Sequence, residues 1–129
     1  MIKITLRIGL AALVLIGSLN SAALAQGLFD PVISVNRAAI TAYELEQRER
    51  FLEILQRSSG MAQRARDSLI EDRLKMAAAD RASIKLSAAQ VSKAMEDFAG
   101  NANLNLDQLL ANLAQSGVDA QTYRDFIKV

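Results

Sequence analysis

The spacing of apolar positions predicts a short extended region followed by helices. Residues 32–35 and 38–40 are runs of β-type composition, and Asn36 and Arg37 between them favour a tight turn, so we predict a small hairpin. Beyond the hairpin, apolar residues recur every three to four positions, which is the period of an α-helix. We therefore predict a mostly α fold, in which a short N-terminal β-hairpin precedes about five helices in a small bundle.

Capping sequences mark where these helices begin and end. Three pairs have capping-box spacing, in which the first side chain accepts a backbone N–H and the second returns to the backbone; the pairs are Thr41 with Glu44, Ser87 with Gln90, and Asn105 with Gln108. Asp119 is predicted to cap the last helix. We expect the first helix to reach about residue 57, with Gly60 in a left-handed conformation after it, and Gly117 to follow the fourth helix. The second helix is predicted over about residues 61–81.

The first predicted helix has an unusually wide apolar face. Its apolar side chains cover about 200° of the helical wheel, whereas a helix that faces one core needs only about 100°. The helix therefore either lies between two surfaces or carries apolar surface that remains exposed. Its glutamates interleave with Arg48 and Arg50, a pattern typical of a solvated face with salt bridges.

Two arginines lie within the apolar arc of the second helix. Arg66 and Arg73 are seven residues apart and so share one face. We expect their aliphatic stems to cover the core while the guanidinium groups reach water. The alternative is a buried pair that meets carboxylates from another element.

Residues 1–25 have the pattern of a secretory signal peptide. Lys3 and Arg7 precede an apolar stretch over residues 8–16, and small residues predict cleavage between Ala25 and Gln26. A retained membrane anchor is the alternative, although the apolar stretch is short for a membrane span. After cleavage, the domain of residues 26–129 has a net charge of −1 instead of the +1 of the whole chain, because both basic residues of the signal are lost. We expect no nucleic-acid partner, since a binder would show a basic face, and no stable membrane insertion.

The composition excludes most kinds of catalytic and metal site. The 129-residue chain contains neither Cys nor His, so disulfides, thiolate ligands and Ser-His-Asp catalysis are impossible within it. Residues 101–107 are similar to the start of a calcium loop, but Leu106 occupies the position that requires Gly, and Asn112 that of the bidentate Glu. We therefore expect no catalytic residues, no metal site and no cofactor.

The order of several short motifs resembles a known family. The motifs are Val32-Ile-Ser-Val-Asn36, Leu69-Ile-Glu-Asp-Arg-Leu74, Ile84-Lys-Leu-Ser87, Asn105-Leu-Asp-Gln108, and Tyr123-Arg-Asp-Phe-Ile127 after Gly117. In this order and spacing they resemble the N-terminal domain of SurA-type periplasmic chaperones, which belong to the parvulin-type peptidyl-prolyl isomerase family. The resemblance covers residues 32–129.

The resemblance implies a chaperone module that works without ATP in the periplasm of a Gram-negative bacterium. Its partners would be unfolded outer-membrane proteins or other extended peptides. The candidate client-binding residues are the apolar side chains of the first helix and of the connection after it, namely Tyr43, Phe51, Leu52, Ile54, Leu55 and Met61. The alternative is that this apolar arc is part of the core.

The sequence departs from full-length relatives, which continue into parvulin-type isomerase domains. We therefore expect the domain to be incomplete at its C-terminus and the chain to be part of a longer protein, with a stand-alone module as the lesser alternative. One alternative function follows from this, an N-terminal fragment of a peptidyl-prolyl cis-trans isomerase whose catalytic domain is missing. A weaker alternative is a membrane-anchored helical adaptor that retains residues 1–25.

Overall fold

A turn at Asn36 and Arg37 pairs two short strands at the start of the domain. A computed structural model describes residues 27–129, and in it β1 (Pro31–Val35) and β2 (Ala38–Thr41) are antiparallel. Asn36 and Arg37 both have positive φ, 49° and 73°, and two such residues match the right-handed twist of a two-residue hairpin. The predicted hairpin is confirmed. The predicted signal peptide and its cleavage site lie outside the described residues.

Five helices follow the hairpin, and residues 27–29 before it are also helical. The five are α1 (Ala42–Gln56), α2 (Ala62–Arg81), α3 (Ala88–Asn101), α4 (Leu106–Gln115) and α5 (Ala120–Ile127). The predicted fold class, a mostly α domain that begins with a short hairpin, is therefore confirmed. None of the helices within residues 27–129 combines the length and the apolar character needed to cross a bilayer.

Local capping fixes the starts of four helices. The capping boxes that begin at Thr41, Ser87 and Asn105 are complete, with the cap side chain and the residue three positions later each bonded to the other's backbone. Asp119 accepts a hydrogen bond from the backbone N–H of Thr122. Each such cap typically stabilises a helix by about 1 kcal/mol, so these starts follow from the sequence alone.

The predicted end of α1 near residue 57 is confirmed. Arg57, with φ of 50°, is the left-handed residue that closes the helix, and its N–H donates to the carbonyl of Glu53. Gly60 is also left-handed, with φ of 74°, but it lies in the connection to α2. Its N–H donates to the Glu53 carboxylate over 2.9 Å. The left-handed conformation predicted for Gly60 is therefore confirmed, although the chain reversal that closes the helix lies at Arg57.

The wide apolar face of α1 lies between two packing surfaces. Phe51 joins a core formed with α3, α4, α5 and the connection between α4 and α5; its other buried members are Val91, Met95, Ala99, Leu109, Leu113, Val118 and Tyr123. A second set of buried side chains lies outside that cluster, on β2, α1 and α2; it comprises Ile40, Leu52, Ala65 and Leu69. Burial between two surfaces is therefore correct for Phe51 and Leu52, whereas Ile54 and Leu55 remain exposed, as the second alternative predicts.

Candidate binding surfaces

Two of the six candidate client-binding residues belong to the core. Phe51 is completely buried and Leu52 is 8% exposed. The Phe51 ring packs against the rings of Phe126 and Tyr123, with centroid distances of 5.0 and 6.0 Å. Burial of a side chain of this size contributes about 1.5–3 kcal/mol to folding. In this structure Phe51 and Leu52 stabilise the domain and present almost no surface to a partner. For these two residues, the alternative that the apolar arc is part of the core is correct.

Three other candidates lie together at one end of the helix pair α1–α2. Ile54 and Leu55 are in the last turn of α1, and each is 38% exposed. Met61 is half-buried and immediately precedes α2. We call Ile54, Leu55 and Met61 the apolar end of the helix pair. These are the candidates through which an accessible apolar surface can form.

The sixth candidate, Tyr43, connects the start of α1 to the start of α5. Its hydroxyl donates a 2.5 Å hydrogen bond to Asp119, and its ring packs against Phe29 at a centroid distance of 5.3 Å. The hydrogen bond to Asp119, together with burial, raises the pKa of Tyr43. Burial would raise the pKa of Asp119, but the hydrogen bonds from Tyr43 and from Thr122 outweigh burial and lower the pKa. Tyr43 therefore has a clear structural role.

A second set of exposed apolar side chains lies on α2 and in the connection to α3, and sequence reasoning missed all of its members except Met76. Leu74 and Met76 lie on the second half of α2, and Ile84 and Leu86 lie in the connection to α3; all four are at least 40% exposed. At 1.5 Å per residue, α2 is about 30 Å long and α1 only about 22 Å. The neighbouring α1 is therefore too short to cover the whole of α2. The length difference between the two helices was the signal in the sequence. Met76 is about 21 Å along α2 from the apolar end.

A buried arginine ties α1 to α2 and α5. Arg48 is 2% exposed, and its guanidinium donates to Ser68 Oγ over 2.6 Å and pairs with Asp72 Oδ2 at 2.7 Å. The guanidinium also lies over the Phe126 ring, 5.2 Å from the centroid, a favourable cation–π geometry. The assignment of Arg48 to a solvated face was wrong. Arg48 precedes Leu52 by four residues and therefore shares its buried face.

The expectations for the other arginines of α1 and α2 have different outcomes. Arg73 is half-buried, donates to the carbonyl of Ala39 over 3.0 and 3.2 Å, and pairs with Glu44 of α1. Arg73 therefore meets a carboxylate from another element, as the alternative predicts, but it is only half-buried and Arg66 is exposed, so the two do not form a buried pair. Arg50 pairs with Glu46 on an exposed part of α1, as predicted for a solvated face.

A cleft of about 250 Å³ lies among α1, α2 and α5, and most of its charged groups are paired. Its lining includes the Arg48–Asp72 pair, the Arg73–Glu44 pair and Asp125, which pairs with Lys128 at 3.0 Å. Within residues 27–129, no group of three or more acidic side chains is arranged to hold a metal ion. The Arg48–Asp72 and Arg73–Glu44 pairs of this cleft join α1 to α2.

The fold places the protein in the class of small, mostly helical domains that begin with a β-hairpin, and several large apolar side chains are exposed on its surface. The family model of the SurA N-terminal domain matches residues 32–129, and the chain belongs to this family of periplasmic chaperone modules. Comparison with curated proteins found no match, and comparison with solved structures found none either.

Proposed function

We propose that this chain is a chaperone module that binds unfolded outer-membrane proteins in the bacterial periplasm without ATP. The observation that carries the proposal is the exposure of large apolar side chains on a domain whose core is otherwise closed, among them the neighbouring Ile54 and Leu55 at the apolar end. Exposed apolar side chains that adjoin one another on a folded domain are typical of a site for a partner, and Ile54 and Leu55 are consecutive residues of one helix turn. Unfolded strands of an outer-membrane barrel expose apolar side chains at alternate positions, which gives them matching chemistry.

The apolar end is the part of the candidate surface best suited to varied clients. Ile54 and Leu55 are held on the last turn of α1 by the buried side chains Phe51 and Leu52 of the same helix. Met61 adds an unbranched, polarizable side chain that adapts its shape to different neighbours. A fixed helix turn beside an adaptable methionine fits the binding of many sequences with modest affinity.

Family membership and the signal peptide predicted over residues 1–25 support the proposed periplasmic location. Mass spectrometry of the exported protein tests the location: we expect an N-terminus at Gln26. An exported protein that retains Met1 would instead support the membrane-anchored adaptor.

Aggregation of an unfolded outer-membrane β-barrel protein provides the test of function. The client is diluted from urea into buffer without ATP, and light scattering is followed with and without the purified protein. We expect suppression of scattering near equimolar concentration. Suppression no greater than that given by an inert protein of equal size would contradict the proposal.

A matched pair of double variants tests the location of the site. Ile54→Gln with Leu55→Gln removes the exposed apolar surface of α1, whereas Ile84→Gln with Leu86→Gln makes the same exchange at more exposed positions elsewhere. We expect the first variant to lose at least half of the suppression and the second to retain it, with both remaining folded by circular dichroism. Equal activity of the two variants would place the site away from the apolar end.

A further inference from the structure

An open cleft of about 810 Å³ lies between the hairpin turn and the second half of α2, away from the apolar end. Its apolar lining is formed by Val35, Ala38, Met76 and Ala77. Its polar lining is formed by Asn36, Arg37, Arg73, Asp80 and Arg81. The cleft is largely open to solvent, and its lining combines apolar surface with several guanidinium groups.

The charges of this cleft are not balanced. Arg73 is engaged by Glu44 and by the carbonyl of Ala39. Arg37 and Arg81 form no ion pair with any residue of 27–129, and neither does Asp80. Two guanidinium groups and one carboxylate without an ion pair in residues 27–129 therefore line the same cleft. Their excess positive charge exceeds the partial negative charge of about half a unit at the C-terminal end of α2.

We propose that this cleft binds an extended segment of unfolded polypeptide that carries an acidic side chain next to apolar ones. Guanidinium groups bind carboxylates through paired, charge-assisted hydrogen bonds, and Arg37 and Arg81 are available for this. The apolar lining receives the neighbouring apolar side chains of the segment. Asp80 and the apolar lining disfavour a polyanion such as nucleic acid. The inference rests on the proposed function and adds a second contact with a preferred client chemistry.

Fluorescence anisotropy with labelled peptides tests the preference. The probes are extended peptides of alternating Val and Thr that differ only in one central residue, which is Asp, Asn or Lys. We expect the Asp peptide to bind most tightly and the Lys peptide most weakly, with the difference decreasing at high salt. An Asp peptide that binds no more tightly than the Asn peptide would overturn the inference.

Two matched pairs of substitutions locate the preference. Arg37→Gln with Arg81→Gln is expected to weaken binding of the Asp peptide by about three- to tenfold, from the usual strength of exposed ion pairs, and to leave the Asn peptide unchanged. Arg57→Gln with Arg66→Gln is the control, because Arg57 is a left-handed turn residue like Arg37, and Arg66 lies on α2 like Arg81. Equal losses in the two pairs would show general charge attraction and overturn the cleft as the site.

Asp80→Asn is expected to change the affinity for the Asp peptide in the direction opposite to that of the arginine substitutions. Removal of the free carboxylate is expected to tighten binding of the Asp peptide by about twofold, and weaker binding would contradict the inference. Single-stranded DNA that displaces the Asp peptide would overturn the inference in favour of a nucleic-acid site. If the wild-type protein suppresses client aggregation but shows no preference for Asp, this inference fails alone; if it suppresses no aggregation, the proposed function fails.

Discussion

Arg48 connects three helices through one buried guanidinium. It lies on α1, bonds to Ser68 and Asp72 of α2, and covers the ring of Phe126 of α5. Its Nε is buried with no partner among the described residues, so the hydrogen bonds of the group are incomplete. A buried ion pair contributes little net stability relative to apolar residues, but removal of one partner leaves the other charge uncompensated.

Arg48→Met is therefore expected to be strongly destabilising. The substitution preserves the apolar stem but leaves the carboxylate of Asp72, which is mostly buried, without its cation. We expect a loss of about 3 kcal/mol in the free energy of unfolding, measured by urea denaturation. Arg66→Met, on an exposed part of α2, is the control and should change stability by less than about 0.5 kcal/mol. Similar losses in the two variants would contradict the role of Arg48.

The hydrogen bond between Tyr43 and Asp119 predicts a pH dependence. The folded state lowers the pKa of Asp119, so its contribution to stability is present above the ordinary pKa near 3.8 and is lost as the pH falls through the lower folded value. Tyr43→Phe removes the hydrogen bond and is expected to cost about 1–2 kcal/mol at pH 7. The difference between wild type and variant should decrease as the pH falls below the ordinary value of 3.8 towards the lower folded pKa of Asp119.

Urea denaturation of both proteins between pH 2.5 and pH 8 measures this difference. The range stays below the pKa of Tyr43, whose raised value gives a contribution that is lost only at alkaline pH. A difference that is the same at pH 2.5 and pH 7 would show that ionised Asp119 is not the acceptor that matters.

At the scale of elements, the connection between α4 and α5 is held by α1. Gly117 has φ of 75°, and its carbonyl accepts hydrogen bonds from Gln47 over 2.9 Å and from Arg50 over 3.3 Å. Gln47 is buried, and the other end of its amide accepts the N–H of Asp119 over 2.9 Å. One glutamine thus fixes both the end of the turn and the start of α5.

The two glycines Gly117 and Gly100 should respond to alanine in opposite directions. At Gly117, the positive φ strains any side chain, and an added Cβ would lie 2.8 Å from the mobile end of Arg50. We expect Gly117→Ala to cost about 1–2 kcal/mol. Gly100 lies within α3 with open space around it, so Gly100→Ala should stabilise by about 0.5 kcal/mol. Thermal unfolding measures both, and a stabilising Gly117→Ala would contradict the account.

Local signals made most of these elements predictable. The hairpin turn and the four caps depend on residues within four positions of one another, so the sequence near each one is sufficient. Arg48 and Gln47 were not predictable in the same way, because their partners are 20 or more residues away on other elements. Periodicity placed Phe51 and Ile54 in the same apolar arc but could not tell which of them is buried. The packing of α5 and α2 decides which one is covered.

At the scale of the whole molecule, α1 separates two packing regions. Its buried side chains join the core with α3, α4 and α5 on one side and pack with β2 and α2 on the other. The surfaces proposed for clients lie at opposite ends of α2. The apolar end is near its start, and the open cleft beside the hairpin turn is near its last turns. A separation of about 20 Å corresponds to about six residues of extended chain, so one client segment has the length to contact both surfaces.

The central claim is that the domain binds polypeptides because they are unfolded. The most direct measurement is the anisotropy of one labelled outer-membrane barrel protein, either freshly diluted from urea or already folded in lipid vesicles, titrated with the purified protein in the absence of ATP. The account predicts saturable binding of the unfolded client and none of the folded one. No binding of the unfolded client, or equal binding of the two forms, would contradict it.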